Sequence, residues 1–393
     1  MISKCVLLVH MASCHIALVL TIVITLLASS SMVVGSSSNK VRNVVDECWR
    51  SNPKWHINRQ ELAKCSIGYA GKMTRNAGPD VTEYVVTDPS DDAMNPKPGT
   101  LRYAMTNIGG KKWVTFKRDM KIKLQRPLLV SSFTTIDGRG ASVHIAGGAC
   151  LLLQRVTDVI IHGLRIHDCQ MQGPGPVRGP DAKIVNIIGH ADGDAIRMLS
   201  SSKIWIDHNT LYDCPDGLID VTRGSTDVTI SNNWFRYQNK VMLLGHDDGF
   251  LRDRNMKVTV VVNYFGPNCH QRMPRVRFGY AHVVNNLYQG WGLYAIGGSM
   301  NPSVKSQANL FVAPKTGNKE VDWNKNRADT SSNLWSVNDI FENGASFNQQ
   351  RTNNAVANPN YNQEQQFKVA DATSVRQLTQ TSGALRCSKR STC

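Results

Sequence analysis

From about residue 82 the chain alternates short runs of β-branched and aromatic residues with Gly, Asn, Asp and Pro. In one run the apolar residues fall at offsets 0, 3 and 5, as Ile161, Leu164 and Ile166, and later copies carry Asn in the middle. These asparagines, 24, 30, 23 and 23 residues apart, are Asn209, Asn233, Asn263, Asn286 and Asn309. A repeat of this length, with one group of short strands and no helical period, predicts a solenoid.

The residue types in the repeat favour a parallel β-helix among the solenoids. Leucine-rich repeats have a similar length but require Leu at fixed spacing and helices between the strands. The runs here are β-branched and aromatic, and LRYAM at 101–105 is interpreted as one of the strands. Because Asn tolerates the left-handed backbone conformation and its amide can satisfy the next amide, the repeated asparagines are expected to form a polar ladder inside the coil.

The repeat also suggests an organisation of the whole chain. Residues 81–315 are predicted to form the β-helix, and residues 36–80 an N-terminal capping segment. Asn58 followed by Glu61 has the pattern of a helix N-cap with an acid at the third position, which predicts a short amphipathic capping helix. Residues 316–393 lose the repeat and are expected to pack along the coil as irregular cover. Two long loops leave the coil, at 169–193 and at 244–254.

Residues 1–35 have the features of a secretory signal peptide. The apolar run 16–28 (IALVLTIVITLLA) has the length of a signal core, and small residues follow it up to a predicted cleavage near Gly35. The alternative is a membrane anchor, but the run is shorter than the roughly 20 residues of a span. Met11 is an alternative start. We therefore expect a secreted, extracellular or cell-wall protein with no membrane attachment after cleavage.

A formal net charge of +15 predicts an anionic partner. Nucleic acid, an acidic membrane surface and an acidic polysaccharide all satisfy this requirement. No motif in the sequence supports nucleic-acid binding. Eight cysteines remain after the signal, and an extracellular destination favours disulfides. Their connectivity does not follow from spacing alone. The three close pairs are Cys48 with Cys65, Cys150 with Cys169, and Cys387 with Cys393.

Two acidic stretches repeat each other at the centre of the chain. Residues 192–206 and 216–230 both begin with Asp-Gly and end on a β-rich run, and they are offset by 24 residues. If 24 residues make one coil, Asp192, Asp216 and Lys240 form a column on one face. One Asp-Gly pair is ordinary turn chemistry. Two in register, with a lysine above them, favour a functional site.

The carboxylates of this stretch suggest a metal site. Since alternate residues of a strand share a face, Asp192 points with Asp194, and Asp216 is expected to point with Asp220. Four carboxylates on adjacent coils, about 5 Å apart, repel one another unless a cation joins them. Ca²⁺ accepts such an irregular set of oxygen ligands, so the sequence predicts a calcium site.

Three arginines follow within six residues, at Arg272, Arg275 and Arg277. Arg275 and Arg277 would share a strand face, whereas Pro274 interrupts the alternation before them. A solvated basic edge is the simpler interpretation. The alternative is a set of guanidinium groups that binds carboxylates one coil beyond Lys240.

With these residues in view, the chain resembles the plant pectate lyases, and most closely their pollen members of the ragweed, mugwort and cypress type. The resemblance runs from about Val44 to Phe347 and includes the Cys-rich end. The matching stretches are DECWR (46–50), PGTLRYA (98–104), TIDGRGASV (135–143), DGDAI (192–196), IWIDHN (204–209), DGLIDVT (216–222), KVMLLGHDD (240–248), QRMPRVRFG (271–279) and YAIGGS (294–299).

The resemblance implies a right-handed parallel β-helix with an N-terminal capping helix. It implies Ca²⁺-dependent eliminative cleavage of α-1,4-linked galacturonan by a monomeric, secreted enzyme of the pollen-allergen type. It also implies that the three close cysteine pairs are disulfides, which leaves Cys214 and Cys269 as free thiols. A polygalacturonase, which hydrolyses the same polymer, and a catalytically weak pectin-binding wall protein are the alternatives.

The site residues follow from the same resemblance. Asp216 and Asp220 match calcium ligands, joined by Asp192 or Asp194, which stays open. Lys240 and Arg277 match groups that bind substrate carboxylates. Arg272 matches the base, which is chemically unusual because a guanidinium is normally protonated, so a base of this type needs surrounding positive charge.

Overall fold

A computed structural model describes residues 42–324, 333–348 and 356–393 of the chain. The predicted signal peptide at 1–35 lies outside the described residues. Within them, the strands pair in parallel into three long sheets, each coil of the chain contributing one strand to each sheet. This arrangement confirms the prediction of an all-β, right-handed parallel β-helix.

The sheets are named here by their numbers of described strands. The ten-stranded sheet contains Thr82–Val86, Lys112–Phe116, Thr134–Asp137, Thr157–His162, Ser202–Asp207, Thr226–Ser231, Lys257–Val261, Tyr280–Val284, Ser303–Gln307 and Asn333–Val337. The nine-stranded sheet contains Met120–Ile122, Val143–Ala146, Arg165–His167, Thr210–Tyr212, Trp234–Arg236, Tyr264–Phe265, Leu287–Gln289, Leu310–Val312 and Ile340–Glu342. The eight-stranded sheet contains Leu128–Leu129, Leu151–Gln154, Ile196–Leu199, Ile219–Thr222, Met242–Leu244, Arg275–Arg277, Ile296–Ser299 and Asp322–Asn324.

The asparagine ladder is present at the corner between the ten-stranded and nine-stranded sheets. Each side-chain amide donates to the next Asn oxygen at 3.0 to 3.1 Å, from Asn209 through Asn309. The ladder ends on Asp339, which accepts from Asn309 at 3.1 Å. The left-handed conformation, however, belongs to the residue before each ladder position, such as His208 and Val262. The ladder asparagines therefore supply the hydrogen bonds, whereas their predecessors make the turn.

Apolar side chains fill the interior of the coil. Stacked rings form a second ladder there, with centroids 4.5 to 5.6 Å apart, made of Phe235, Phe265, Tyr288, Phe311 and Phe341. Around it pack the inward-facing Ile, Val, Leu and Met residues of all three sheets. Burial of each such side chain contributes about 1.5–3 kcal/mol, and the stacked coils make that core continuous.

The described helices differ from the prediction. The α-helices are Val44–Arg50, Leu101–Asn107 and Val375–Leu378. Leu101–Asn107, interpreted from sequence as a strand, is a helix capped by the Thr100 side chain, and it adds Leu101, Ala104 and Met105 to the inner core at the start of the coil. The helix predicted after Asn58 is a 3₁₀ segment, and the Asn58 side chain makes no capping bond. The 3₁₀ segments are Arg59–Lys64, Gly68–Ala70, Thr74–Asn76, Pro180–Ala182, Leu251–Asn255 and Ala372–Ser374.

The segment before the coil covers the outside of the ten-stranded sheet. Val45, Trp49 and Trp55 form a second core with outward residues of that sheet, such as Trp205 and Val284. The segment predicted to cap the end of the coil therefore packs along its side, and the Leu101–Asn107 helix closes the end. Beyond the predicted boundary at 315, strands at 322–324, 333–337 and 340–342 add one more coil.

The two predicted loops leave the eight-stranded sheet. In the first, Gly175–Arg178 pairs antiparallel with Ile184–Ile187 as a hairpin. The second contains the 3₁₀ segment Leu251–Asn255. A further short parallel pair joins Gln238–Lys240 to Cys269–Gln271. No helix in the described part of the chain has the length and apolar character of a membrane span.

The three close cysteine pairs form disulfides, as the resemblance implies. Cys214 and Cys269 are free and buried. Burial raises the pKa of each of these two thiols to about 12. They are therefore protonated at neutral pH and unreactive, and they behave as small core residues.

Candidate active site

The candidate residues lie on the outer face of the eight-stranded sheet and at its edge. One row of directly paired, outward-facing positions crosses the sheet: Arg197, Asp220, Leu243, Arg275, Gly297 and Trp323. The residues beside the row, such as Met198, Val221 and Val276, point into the core. Strand alternation thus presents acidic side chains at one end of the row and basic and aromatic ones at the other.

The 24-residue offset predicted for the acidic stretches is wrong in this sheet. Ile196 pairs with Ile219, an offset of 23, whereas in the ten-stranded sheet Ser202 pairs with Thr226, an offset of 24. The corner 223–225 is one residue longer than the corner 200–201, which absorbs the difference. Consequently Asp220 lies beside Arg197, and Asp216 is not stacked directly on Asp192.

Two of the four predicted carboxylates converge on Gly217. A Cβ placed on this glycine would lie 2.7 Å from an Asp220 oxygen and 2.8 Å from an Asp194 oxygen, so only Gly leaves room for both. The Gly217 N–H also donates to Asp194 Oδ1 at 2.8 Å. Asp194 and Asp220 are both buried, whereas Asp192 is exposed at the edge of the group.

The acidic residues disfavour one another's ionisation. Burial, reinforced by the charges of Asp216 and Asp192, raises the pKa of Asp194 to about 6. Burial and the charges of Asp194 and Asp216 hold the pKa of Asp220 well above its usual range. Both shifts mark a place where a bound cation would be strongly favoured, because it would remove the repulsion between the carboxylates.

Lys240 meets the acidic group from the next coil. Its Nζ lies 2.5 Å from Asp216 Oδ1, and both side chains are about one-third exposed. The predicted column is therefore present between Asp216 and Lys240. Gln238 stabilises the turn beneath them, since its side-chain amide donates to the Asp216 carbonyl at 2.6 Å.

The three arginines occupy different surroundings. Arg275 and Arg277 flank buried Val276, as strand alternation predicts, and Arg277 donates to Asp248 Oδ1 at 2.9 Å and to the His246 carbonyl at 3.2 Å. The insertion after Leu244 thus holds Arg277. Arg275 lies over the Trp323 ring at 5.2 Å. Burial and the charges of Arg277 and Arg272 lower the pKa of Arg275.

Arg272 precedes the strand, in the left-handed conformation with a φ of 62°. Its charge reaches Asp220 and favours ionisation of that carboxylate. Its side chain hydrogen-bonds to Tyr294, whose pKa is raised by burial. The Tyr294 ring lies across Gly297 and stacks on Trp323 at 5.2 Å. Arg272 is therefore placed between the acidic group and an aromatic support.

Three of these neighbours were missed from the sequence: Arg197, Tyr294 and Trp323. Arg197 would have emerged from an offset of 23, which aligns it with Asp220, whereas the offset of 24 aligns it with Val221. Tyr294 stands in the YAIGGS stretch, where the adjacent glycines make room for its ring. Trp323 lies in the last coil, beyond the predicted boundary of the repeat.

The donor set suits an oxygen-preferring cation only in part. Nowhere in the described residues do three His, Cys, Asp or Glu side chains come close enough together to enclose a metal ion. Asp194 and Asp220 converge, but Asp216 is engaged by Lys240. Two convergent carboxylates with a third nearby fit a Ca²⁺ ion that takes its remaining oxygen ligands from water or from a bound anion.

Comparison with known proteins identifies the class to which this fold and site belong. Residues 104–384 match the family model described as pectate lyase. Probable pectate lyase 9 of Arabidopsis thaliana is 48% identical over 359 residues, which cover 89% of this chain and 77% of the relative. Probable pectate lyase 5 of the same plant is 48% identical and covers 89% of this chain and 86% of its own.

Solved structures agree. The major allergen from cedar pollen, jun a 1, has a TM-score of 0.83 and 44% identity, covering 87% of this chain and 99% of its own. A pectate lyase bound to a hexasaccharide has a TM-score of 0.60 at 18% identity, covering 81% of this chain and 96% of its own, and supports the fold alone. The chain is a polysaccharide lyase. It belongs to the pectate lyase family.

Proposed function

We propose that this chain is a secreted pectate lyase that cleaves α-1,4-linked galacturonan by Ca²⁺-dependent β-elimination and leaves a 4,5-unsaturated end. The observation that carries the proposal is the placement of Asp194, Asp216 and Asp220 beside Lys240 and Arg272 on one open sheet face. An acidic group next to cations suits a polyanion held partly through a shared metal ion. The exposed face can accommodate an extended polymer.

Each residue has a distinct part in this proposal. Asp194, Asp216 and Asp220 would hold Ca²⁺, with Asp192 at the exposed edge as a possible fourth ligand. Bound there, the ion would neutralise substrate carboxylates and make the C5 proton more acidic. Lys240 and Arg277 would bind further carboxylates, and Lys240 would exchange its bond to Asp216 for one to the substrate. These contacts orient the sugar ring before any bond breaks.

Arg272 would remove the C5 proton. The electron pair of that C–H bond then forms the C4–C5 double bond, and the C4–O bond breaks. The departing oxygen takes up a proton, and the next sugar becomes a new chain end. Tyr294 would hold the Arg272 side chain in position during this transfer, because their hydrogen bond joins it to a buried ring. Neutralisation of the C6 carboxylate stabilises the charge that develops when C5 loses its proton.

Ultraviolet absorbance of the unsaturated product tests the proposal. The chain is expected to generate this absorbance from polygalacturonate, and EDTA is expected to abolish it. Arg272→Ala should lower kcat by at least about a hundredfold, the usual range for loss of a positioned base. Lys240→Ala should mainly raise KM. Arg118→Ala, which removes an exposed arginine elsewhere, is the matched control and should leave both constants unchanged.

The outcomes separate the parts of the proposal. Activity that survives EDTA would contradict calcium dependence, and unchanged activity of Arg272→Ala would contradict its role as base. Reducing ends without ultraviolet absorbance would indicate a hydrolase instead. Secretion is tested separately by N-terminal sequencing of the protein from culture medium, where a start near residue 36 is expected.

A further inference from the structure

Arg197 is a cation placed directly against the acidic group. It is the cross-strand partner of Asp220 in the outward row, and its Nε lies 4.0 Å from Asp194 Oδ2. Its side chain is 24% exposed. Arg197 therefore adjoins the two carboxylates that converge on Gly217, from the side opposite Lys240 and Arg272.

The contact between Arg197 and Asp194 is electrostatic. A separation of 4.0 Å exceeds hydrogen-bond length, so the pair lacks the fixed geometry of the bond between Lys240 and Asp216. Arg197 also borders a cavity of about 460 Å³ between the sheet and the hairpin. Arg223 borders the same cavity but is exposed and occupies a corner. The two arginines thus share a cavity and differ in their closeness to the carboxylates.

We propose that Arg197 is a resident counter-cation that weakens Ca²⁺ binding at Asp194 and Asp220. The inference rests on the proposed function, in which these carboxylates hold the ion. A guanidinium has no lone pair to offer a metal, so Arg197 cannot act as a ligand. Its positive charge stabilises the carboxylates in the metal-free protein and repels a divalent ion that enters between them.

The consequence is a calcium affinity set by charge balance as well as by ligands. Extracellular calcium modules commonly bind with a Kd of about 10⁻⁴–10⁻³ M. Arg197 would hold this site in that range, so that occupancy follows the calcium concentration around the protein. Without the arginine, the same carboxylates would stay loaded at lower calcium, and cleavage would lose that sensitivity.

Calorimetric titration of the metal-free chain with CaCl₂, without polysaccharide, tests the inference. Arg197→Gln should bind Ca²⁺ about threefold to tenfold more tightly than the wild type, because one repulsive charge is removed. Arg197→Lys keeps the charge and should bind like the wild type. Arg223→Gln removes a charge at the same cavity and should also bind like the wild type. Circular dichroism checks that each variant is folded.

Equal or weaker binding by Arg197→Gln would overturn the inference, as would equal tightening in Arg223→Gln, which would show a general effect of net charge. Tightening in Arg197→Lys would show that side-chain shape, rather than charge, sets the affinity. A wild type that binds no Ca²⁺ would instead overturn the calcium part of the proposed function, and the inference with it. The wild-type titration therefore distinguishes the two failures.

Discussion

Asp194 is the residue in which burial and charge oppose each other most clearly. It is 7% exposed, it accepts the Gly217 N–H, and it lies beside two other carboxylates. Its pKa of about 6 exceeds the ordinary 3.8, mainly because of burial and then because of Asp216. Since the folded state holds this proton more tightly than the unfolded state, protonated Asp194 stabilises the fold at low pH. That stabilisation is lost as the pH rises through about 6.

Asp194→Asn is therefore expected to stabilise the metal-free protein above pH 6. The amide keeps an acceptor for Gly217 and carries no charge, so the variant should gain about 2–3 kcal/mol in the free energy of unfolding at pH 8 in EDTA. Urea unfolding at pH 4 and pH 8 measures the gain, which should vanish at pH 4. Asp192→Asn, at an exposed position, is the control and should change little.

With saturating CaCl₂ the order of stability should reverse, because only the wild type would gain binding energy in the folded state. An Asp194→Asn variant that is less stable than the wild type in EDTA at pH 8 would contradict the charge repulsion derived from the structure.

At the scale of elements, the asparagine ladder joins consecutive coils through buried amides. Asn263 shows the pattern, since its Oδ1 accepts from both the backbone and the side-chain nitrogens of Asn233 at 2.9 and 3.1 Å. Its Nδ2 donates to the Ile230 carbonyl at 2.9 Å and to Asn286 Oδ1 at 3.0 Å. Every one of these groups is buried, so none has water as an alternative partner.

Asn263→Ala is expected to lower the free energy of unfolding by about 3–5 kcal/mol, because it leaves several buried donors and acceptors without partners. Urea unfolding followed by far-ultraviolet circular dichroism measures the change. Asn95→Ala, at an exposed loop position, is the control and should cost little. A loss at Asn263 no larger than at Asn95 would mean that the ladder contributes no stability.

The ladder also shows how far sequence could predict the elements. Asn recurs at one position per coil because that corner requires a side chain with both donor and acceptor, so the repeat was visible. The helix Leu101–Asn107 was not, since seven residues are too few to separate a helical from a strand pattern, and its signal was the cap at Thr100. In the last coil Asp339 replaces Asn, which hid that coil from the pattern.

The site was predictable to the same degree. Asp216, Asp220 and Lys240 emerged from sequence because they lie in repeated strands. The relation between Asp194, Gly217 and Arg197 did not, because it depends on a register that one extra corner residue shifts. Tyr294 reaches Arg272 from the next coil, across glycines that have no side chain to mark the contact.

At the scale of the whole molecule, Asp46 joins both chain ends to the coil. Its carboxylate accepts from Arg50 at 2.7 Å, from His208 at 2.7 Å and from Thr381 at 3.1 Å, and it is 1% exposed. Arg50 in turn donates to the carbonyl of Cys393 at 3.1 Å. Burial opposes the ionisation of Asp46, but His208 and Arg50 outweigh it and lower its pKa to about 2.

The ion pair of Asp46 and His208 has a defined pH window. A lowered carboxylate pKa contributes stability that is present above 3.8 and lost as the pH falls through about 2. The pKa of His208 is raised despite its burial, because of Asp46 and Asp207. Its contribution is fully present below 6.5 and is lost as the pH rises through the raised pKa. The pair is therefore strongest between about pH 4 and 6.

Asp46→Asn is expected to destabilise the protein by about 3 kcal/mol at pH 5, since it leaves the buried Arg50 and His208 without their anion. The loss should be smaller at pH 9, where His208 is neutral. Urea unfolding at the two pH values measures both. Glu47→Gln, at an exposed neighbouring position of the same helix, is the control and should cost less than about 0.5 kcal/mol at either pH. Equal losses for Asp46→Asn at pH 5 and pH 9 would mean that His208 carries no charge in the folded protein, so that the ends of the chain would be held by packing and neutral hydrogen bonds alone.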